Sequence, residues 1–244
     1  MTRAIELRRL YKAFEGNQVL QGVDLGIEAG EILTILGGSG TGKSVLLKLM
    51  IGLLKPEAGQ ILIDGEDIVP LREDDLLKMR RKVGMLFQGA ALFDSLSVKE
   101  NVAFPLREHT RMPEREIRDR VGEVLTLVGM AEMEEKYPVE LSGGMRKRVG
   151  LARAIALTPQ IVLYDEPTTG LDPRNVDKIN ELITDLRAKL GVTSVVVTHD
   201  LQSAFRISDR VSLLSEGRIA VTASPAEIGK FEDPVVQEFL AGHL

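Results

Sequence analysis

The residues with the clearest chemical capacity are Gly37-Gly38-Ser39-Gly40-Thr41-Gly42-Lys43-Ser44, which fit the spacing G-x-x-x-x-G-K-[ST]. Glycine lets the backbone wrap closely around a polyphosphate and turn successive N–H groups toward it. A helix starting at the end of the loop adds partial positive charge, and the Lys43 ammonium can reach β- and γ-phosphates. The Ser44 hydroxyl is a hard oxygen suited to Mg²⁺. The stretch therefore predicts a site for a nucleoside triphosphate.

Other chemistry-bearing residues stand at the ends of apolar runs. Ile161-Val162-Leu163-Tyr164 ends in Asp165 and Glu166, Thr198 and His199 follow 194–197, and Gln88 follows 83–87. Ligands of a parallel sheet gather beyond the carboxyl ends of its strands, so these residues are expected at one edge. Asp165 suits the Mg²⁺ side of the site. Side chains alternate along a strand, which gives Glu166 a different direction and a different task, to orient or deprotonate an attacking water. His199 and Gln88 carry little weight singly. Ser142-Gly143-Gly144, ahead of the basic run 146–157, makes a second anion-binding helix start, although such a motif taken alone is more often a plain N-cap with a solvated basic face. One nucleotide needs one cradle, and this chain offers two.

The elements that must hold these groups are legible from periodicity. Residues 32–36 are short, apolar and β-branched, as a buried parallel strand is, and Val45, Leu46, Leu49 and Met50 recur at helical spacing. Residues 5–10 alternate only partly and read as an edge strand; 19–27 read as a half-buried strand. Residues 61–63 before Asp64-Gly65 resemble one arm of a hairpin, 71–81 a charged helix, and 83–87 a strand. From 97 to 158 helical periodicity dominates, punctuated by Pro105, Pro113 and Pro138. A strand at 161–164, a helix at 174–190, strands at 194–197, 210–214 and 218–222, and a short helical tail from Pro225 complete the chain. The expected architecture is one α/β domain over 1–244, with its core in 1–88 and 159–244 and a helical insertion at 89–158.

Composition narrows the function. With 244 residues, 44% hydrophobic and 27% charged, the chain can bury a sizeable core. A net charge of −5 gives no electrostatic case for nucleic acid. The absence of cysteine rules out disulfides, thiolate metal sites and cysteine nucleophiles. Charges at Arg3, Glu6, Arg8 and Arg9 stand where a signal peptide needs an apolar core, and no window approaches the ~18 apolar residues of a membrane span. A cytosolic chain is expected, with any membrane role supplied through a partner.

In this order, Gly37 to Ser44, Gln88, Leu141-Ser142-Gly143-Gly144, the run 161–166, Gly170-Leu171-Asp172 and His199 resemble the nucleotide-binding subunit of ABC transporters across nearly the whole chain. The resemblance implies an ATPase of P-loop NTPase fold, with a mainly parallel sheet, an antiparallel β subdomain and a helical subdomain, acting on ATP with Mg²⁺. It makes 37–44 the Walker A loop, 161–165 the Walker B strand, Glu166 the catalytic carboxylate, and His199 the switch histidine. Ser142, Gly143 and Gly144 become the signature motif and Asp172 part of the D-loop. Gln88 becomes the residue that links the nucleotide and its metal to a membrane partner, and Phe14 the aromatic that stacks on adenine. Gly38 departs from the proline common among relatives. Subunits of the family pack head to tail, which implies a homodimer with two composite ATP sites.

A narrower resemblance, to the Mla-type ATPases of phospholipid transport, rests on Phe87-Gln88-Gly89-Ala90-Ala91-Leu92-Phe93, 105–110 and Ser142-Gly143-Gly144-Met145-Arg146-Lys147-Arg148. Met145 stands where many transporter ATPases carry glutamine. This resemblance implies a permease docked near 88–106, a periplasmic lipid-binding MCE-domain partner, and a place on the cytoplasmic face of the inner membrane. It implies a role in keeping the outer membrane's lipid asymmetry. Another cargo, or an ATP switch that regulates a membrane complex without transport, are the alternatives the motifs leave open.

Overall fold

The computed structural model describes residues 3–242; Met1, Thr2, His243 and Leu244, at the ends of the expected domain, lie outside the described residues. The first half runs β1 (Arg3–Phe14), β2 (Asn17–Glu28), β3 (Ile32–Leu36), α1 (Lys43–Met50), β4 (Ala58–Ile63), β5 (Glu66–Asp67), α2 (Glu73–Arg80) and β6 (Val83–Leu86). Three helices follow, α3 (Val98–His109), α4 (Glu114–Leu127) and α5 (Gly143–Ile155). The chain then returns through β7 (Ile161–Asp165), α6 (Pro173–Leu190), β8 (Thr193–Thr198), α7 (Leu201–Ile207), β9 (Arg210–Ser215) and β10 (Arg218–Ala223) to α8 (Pro225–Ile228) and α9 (Pro234–Leu240).

Two sheets form. One has the order β10-β9-β3-β8-β7-β6, parallel throughout except where β10 pairs antiparallel with β9. The other is antiparallel, β2-β1-β4-β5. Every residue of β3, β7 and β8 is buried, which explains their largely apolar composition. Alternation along β7 divides its side chains between two cores. Val162 and Tyr164 pack with α3, α4, α5 and α6, whereas Ile161 and Leu163 pack with α1 and the antiparallel sheet. The helical stretch between β6 and β7 thus shares its core with the parallel sheet. Its helices start on local signals: Ser97 and Glu100 form a capping box at α3, and Pro113 precedes α4 with Glu114 and Glu116 in the first turn.

The segment expected at a sheet edge is an interior strand. β1 lies between β2 and β4, with Ile5, Leu7 and Leu10 buried. Period-2 alternation would put Leu7 and Leu10 on opposite faces. A bulge at Arg9, with φ 45° and its N–H donated to Asp24 Oδ1, turns both inward. β4 passes so close to the bulge that a Cβ on Gly59 would lie 2.4 Å from the Arg9 carbonyl oxygen. Among the described residues no helix is long and apolar enough to cross a membrane.

Candidate nucleotide site

Parallel register aligns the strand ends that matter. Leu36 pairs with Thr198, Asp165 with Val197, and Leu86 with Tyr164, so the residues after β3, β6, β7 and β8 emerge along one edge. The loop after β3 needs its glycines for two different reasons. Gly42, the N-cap of α1, has φ 101°, a conformation that L side chains rarely adopt. Gly37 lies so close to β9 that a Cβ would come 2.6 Å from the Leu214 carbonyl oxygen.

Lys43 is 7% exposed, and its Nζ donates to the carbonyls of Gly37 and Gly38, both at 2.7 Å. Burial pushes its pKa below the ordinary lysine range, against the opposing pull of Glu166 and Asp165. The Ser44 hydroxyl donates to Asp165 Oδ1 at 2.7 Å. These two hard oxygens fit Mg²⁺, which takes one or two protein ligands and completes its shell with phosphate and water. Among the described residues there is no cluster of three or more His, Cys, Asp or Glu that could serve as an all-protein cage.

Strand alternation does not separate Asp165 from Glu166. Glu166 leaves β7 with φ 47°, so both carboxylates come to the loop, Asp165 at Ser44 and Glu166 Oε1 3.8 Å from Lys43 Nζ. Glu166 Oε2 accepts from the hydroxyls of Thr169 at 2.8 Å and Thr198 at 3.2 Å. His199 Nδ1 lies 3.1 Å from Glu166 Oε1; an Nδ1–H tautomer donates to the carboxylate and leaves Nε2 as an acceptor.

A cavity of about 700 Å³ opens above the loop, within the range that holds a small ligand. Gly38, Ser39, Gly40, Gly42, Lys43, Ser44, Gln88, Glu166 and His199 line it, with Phe14, 42% exposed, on its wall. Gly37 and Thr41 support the loop from behind, Gly37 through its carbonyl on Lys43 and Thr41 through a hydroxyl donated to the Gly38 carbonyl.

Ser142, Gly143, Gly144 and Asp172 do not line this cavity. Ser142 caps α5, with its Oγ accepting from Met145 N–H, and Asp172 caps α6 through Asn175. Both caps are exposed. A Cβ on Gly144 would lie 3.1 Å from the Asn175 amide, so the two helix starts pack against each other. Several residues at or near the cavity had no sequence signal. Val19, Leu201 and Phe239 reach it from β2, α7 and α9, and no local motif marks them. Lys147 is 5% exposed and donates to the Glu166 carbonyl at 2.8 Å, yet its type does not distinguish it from the other cations of its run.

A family model described as ABC transporter matches residues 20–169. The chain is 47% identical over 239 residues to a Mycobacterium leprae protein named as a probable ribonucleotide transport ATP-binding protein, mkl, covering 98% of this chain and 69% of that one. It is 41% identical over 238 residues to the intermembrane phospholipid transport system ATP-binding protein MlaF of Haemophilus influenzae, covering 98% and 90%. A dimeric ATP-binding cassette, solved in a post-hydrolysis state with ADP and Pi, matches with a TM-score of 0.84 at 35% identity, covering 91% of this chain and 98% of that one.

Proposed function

This chain belongs to the ABC transporter family as an ATP-binding subunit that couples ATP hydrolysis to transport, and from that premise we propose that its cargo is phospholipid, moved between the membranes of a Gram-negative envelope to keep outer-membrane lipid asymmetry. The observation that carries the cargo is the similarity to MlaF along 98% of this chain and 90% of that protein. Methionine at position 145, in place of the common glutamine, supports the same reading.

The site divides the work among named atoms. Lys43 exchanges two neutral carbonyls for the γ-phosphate, an acceptor that carries charge. Ser44 and Asp165, with Gln88 on the same cavity, would hold Mg²⁺, which would supply positive charge against the triphosphate. Glu166 orients the attacking water and takes its proton, while His199 bridges that carboxylate and the γ-phosphate. Phe14 offers a face to adenine. Ser142 and Asp172, both exposed, with Gly143 and Gly144 next to Ser142, lie away from the cavity and serve the nucleotide of a second copy packed head to tail.

One surface feature supports a permease partner. Phe93 and Phe104, 44% and 39% exposed with ring centroids 4.8 Å apart, give the segment 88–106 an aromatic face for a permease. Through that permease the chain sits at the cytoplasmic face of the inner membrane, with an MCE-domain protein on the periplasmic side and no nucleic acid in its cycle.

The similarity to mkl favours one alternative cargo, a ribonucleotide. Purification of the intact complex followed by reconstitution separates the two. Phospholipid cargo predicts co-purification of a permease and an MCE-domain protein, and ATP-dependent phospholipid movement between vesicles that Lys43→Ala abolishes. ATP-dependent uptake of a radiolabelled ribonucleotide, with no lipid movement, contradicts it.

A further inference from the structure

We infer that Lys147 is a positioning residue for Glu166, which it holds through the main-chain carbonyl and thereby ties to the helix that opens at Ser142. The inference rests on the reading of Glu166 as the catalytic carboxylate. Three observations converge on it. Lys147 is a buried ammonium whose Nζ donates to the Glu166 carbonyl at 2.8 Å across two elements, α5 and the turn after β7. Burying an ammonium costs several kcal/mol, far more than burying a methionine of similar length, so filling space does not account for a lysine here. Burial lowers its pKa, and the nearby charges of Asp165 and Glu166 oppose that shift.

The second observation is the conformation being held. Glu166 has φ 47°, in the left-handed region that L side chains rarely adopt. Both its main-chain polar groups are tied down, the N–H donated to the Val197 carbonyl at 2.9 Å and the C=O accepting from Lys147 at 2.8 Å and, at the longer distance of 3.4 Å, from the Thr169 N–H. The side chain then meets Thr169, Thr198 and His199. Loss of Lys147 leaves that carbonyl with the long Thr169 bond alone, which lets the backbone relax, and a displacement of ~1 Å in a reacting group costs about 10²-fold in rate.

The third is where Lys147 sits on α5. It lies within one turn of Gly144 and about one and a half turns from Ser142, and Gly144 packs against Asn175, the residue that Asp172 caps. Two other cations of the run have different partners. Arg146 donates to the Leu141 carbonyl, and Arg153 donates to the carbonyls of Ala90 and Ala91. Lys147 is thus the cation of α5 that reaches the catalytic turn, and it joins the end of the helix that serves a second copy's nucleotide to this copy's own carboxylate.

The test is steady-state ATPase kinetics on the full chain in its transporter complex. Lys147→Met is expected to lower kcat by about 10²-fold at unchanged KM for ATP. Lys147→Arg, which can donate to the same carbonyl, restores most of the rate. Lys147→Gln, whose amide falls short of the carbonyl, carries the same prediction as Lys147→Met with a smaller change in polarity, and serves if the methionine variant folds poorly. In a Glu166→Gln background, Lys147→Met produces no further loss. Wild-type kcat in Lys147→Met beside an inactive Glu166→Gln overturns the positioning role alone, as does a full additional loss in the double variant. Turnover retained by Glu166→Gln removes the catalytic reading beneath it, and this role with it.

Discussion

Replacing Glu166 with glutamine is expected to lower ATP turnover by about 10²- to 10⁴-fold, the usual worth of a positioned proton acceptor, while ATP binding persists. The shape of the site survives the change. A glutamine carbonyl can accept from Thr169 and Thr198 as Oε2 does, and the backbone bond to Val197 is untouched. What disappears is the anionic acceptor facing His199 and Lys43. Retained binding with lost turnover also traps the closed dimer, since γ-phosphate is the group that favours it until hydrolysis removes it. Gel filtration with ATP and single-turnover kinetics report the two effects separately. Wild-type turnover in this variant would remove Glu166 from the chemistry.

Lys43→Ala is expected to abolish hydrolysis and to weaken ATP binding as well, which distinguishes it from the glutamate variant. Each hydrogen bond from a charged donor contributes about 1.5–3 kcal/mol, so its loss weakens binding by about 10- to 100-fold. The variant also leaves the carbonyls of Gly37 and Gly38 without the ammonium that now pairs them, and removes one of the two buried cations, Lys43 and Lys147, near Asp165 and Glu166. Isothermal titration with a non-hydrolysable ATP analogue reads the binding loss directly. Affinity equal to wild type would place the triphosphate elsewhere.

The parts of the site that the sequence made legible are those whose chemistry is contiguous. Gly37 to Ser44 and the run 161–166 declare themselves because a phosphate cradle and a strand ending in acids are local patterns, and parallel register then brings their ends together. What stayed hidden depends on departures from regular geometry. Arg9 breaks the alternation of β1, so an interior strand reads as an edge. Glu166 turns off β7 instead of continuing it, so two adjacent acids share a site that alternation would have split. Lys147 lies among Arg146, Arg148 and Arg153, and residue type does not say which cation turns inward. Phe239 reaches the cavity from the tail through tertiary packing that no periodicity encodes.

The central claim is that each ATP lies between the loop of one copy and Ser142, Gly143 and Gly144 of another. In one chain these groups stand apart, with the exposed cap at Ser142 outside the cavity that Lys43 lines. Mixed dimers carrying Glu166→Gln in both chains, with Lys43→Ala and Ser142→Arg added either on opposite chains or on the same chain, test this by the ATP they trap. Head-to-tail sites place opposite-chain lesions in one shared site, so that dimer retains one ATP, whereas same-chain lesions damage both sites and trap none. The reverse pattern, one ATP with the lesions on the same chain and none with them on opposite chains, contradicts a site shared between copies.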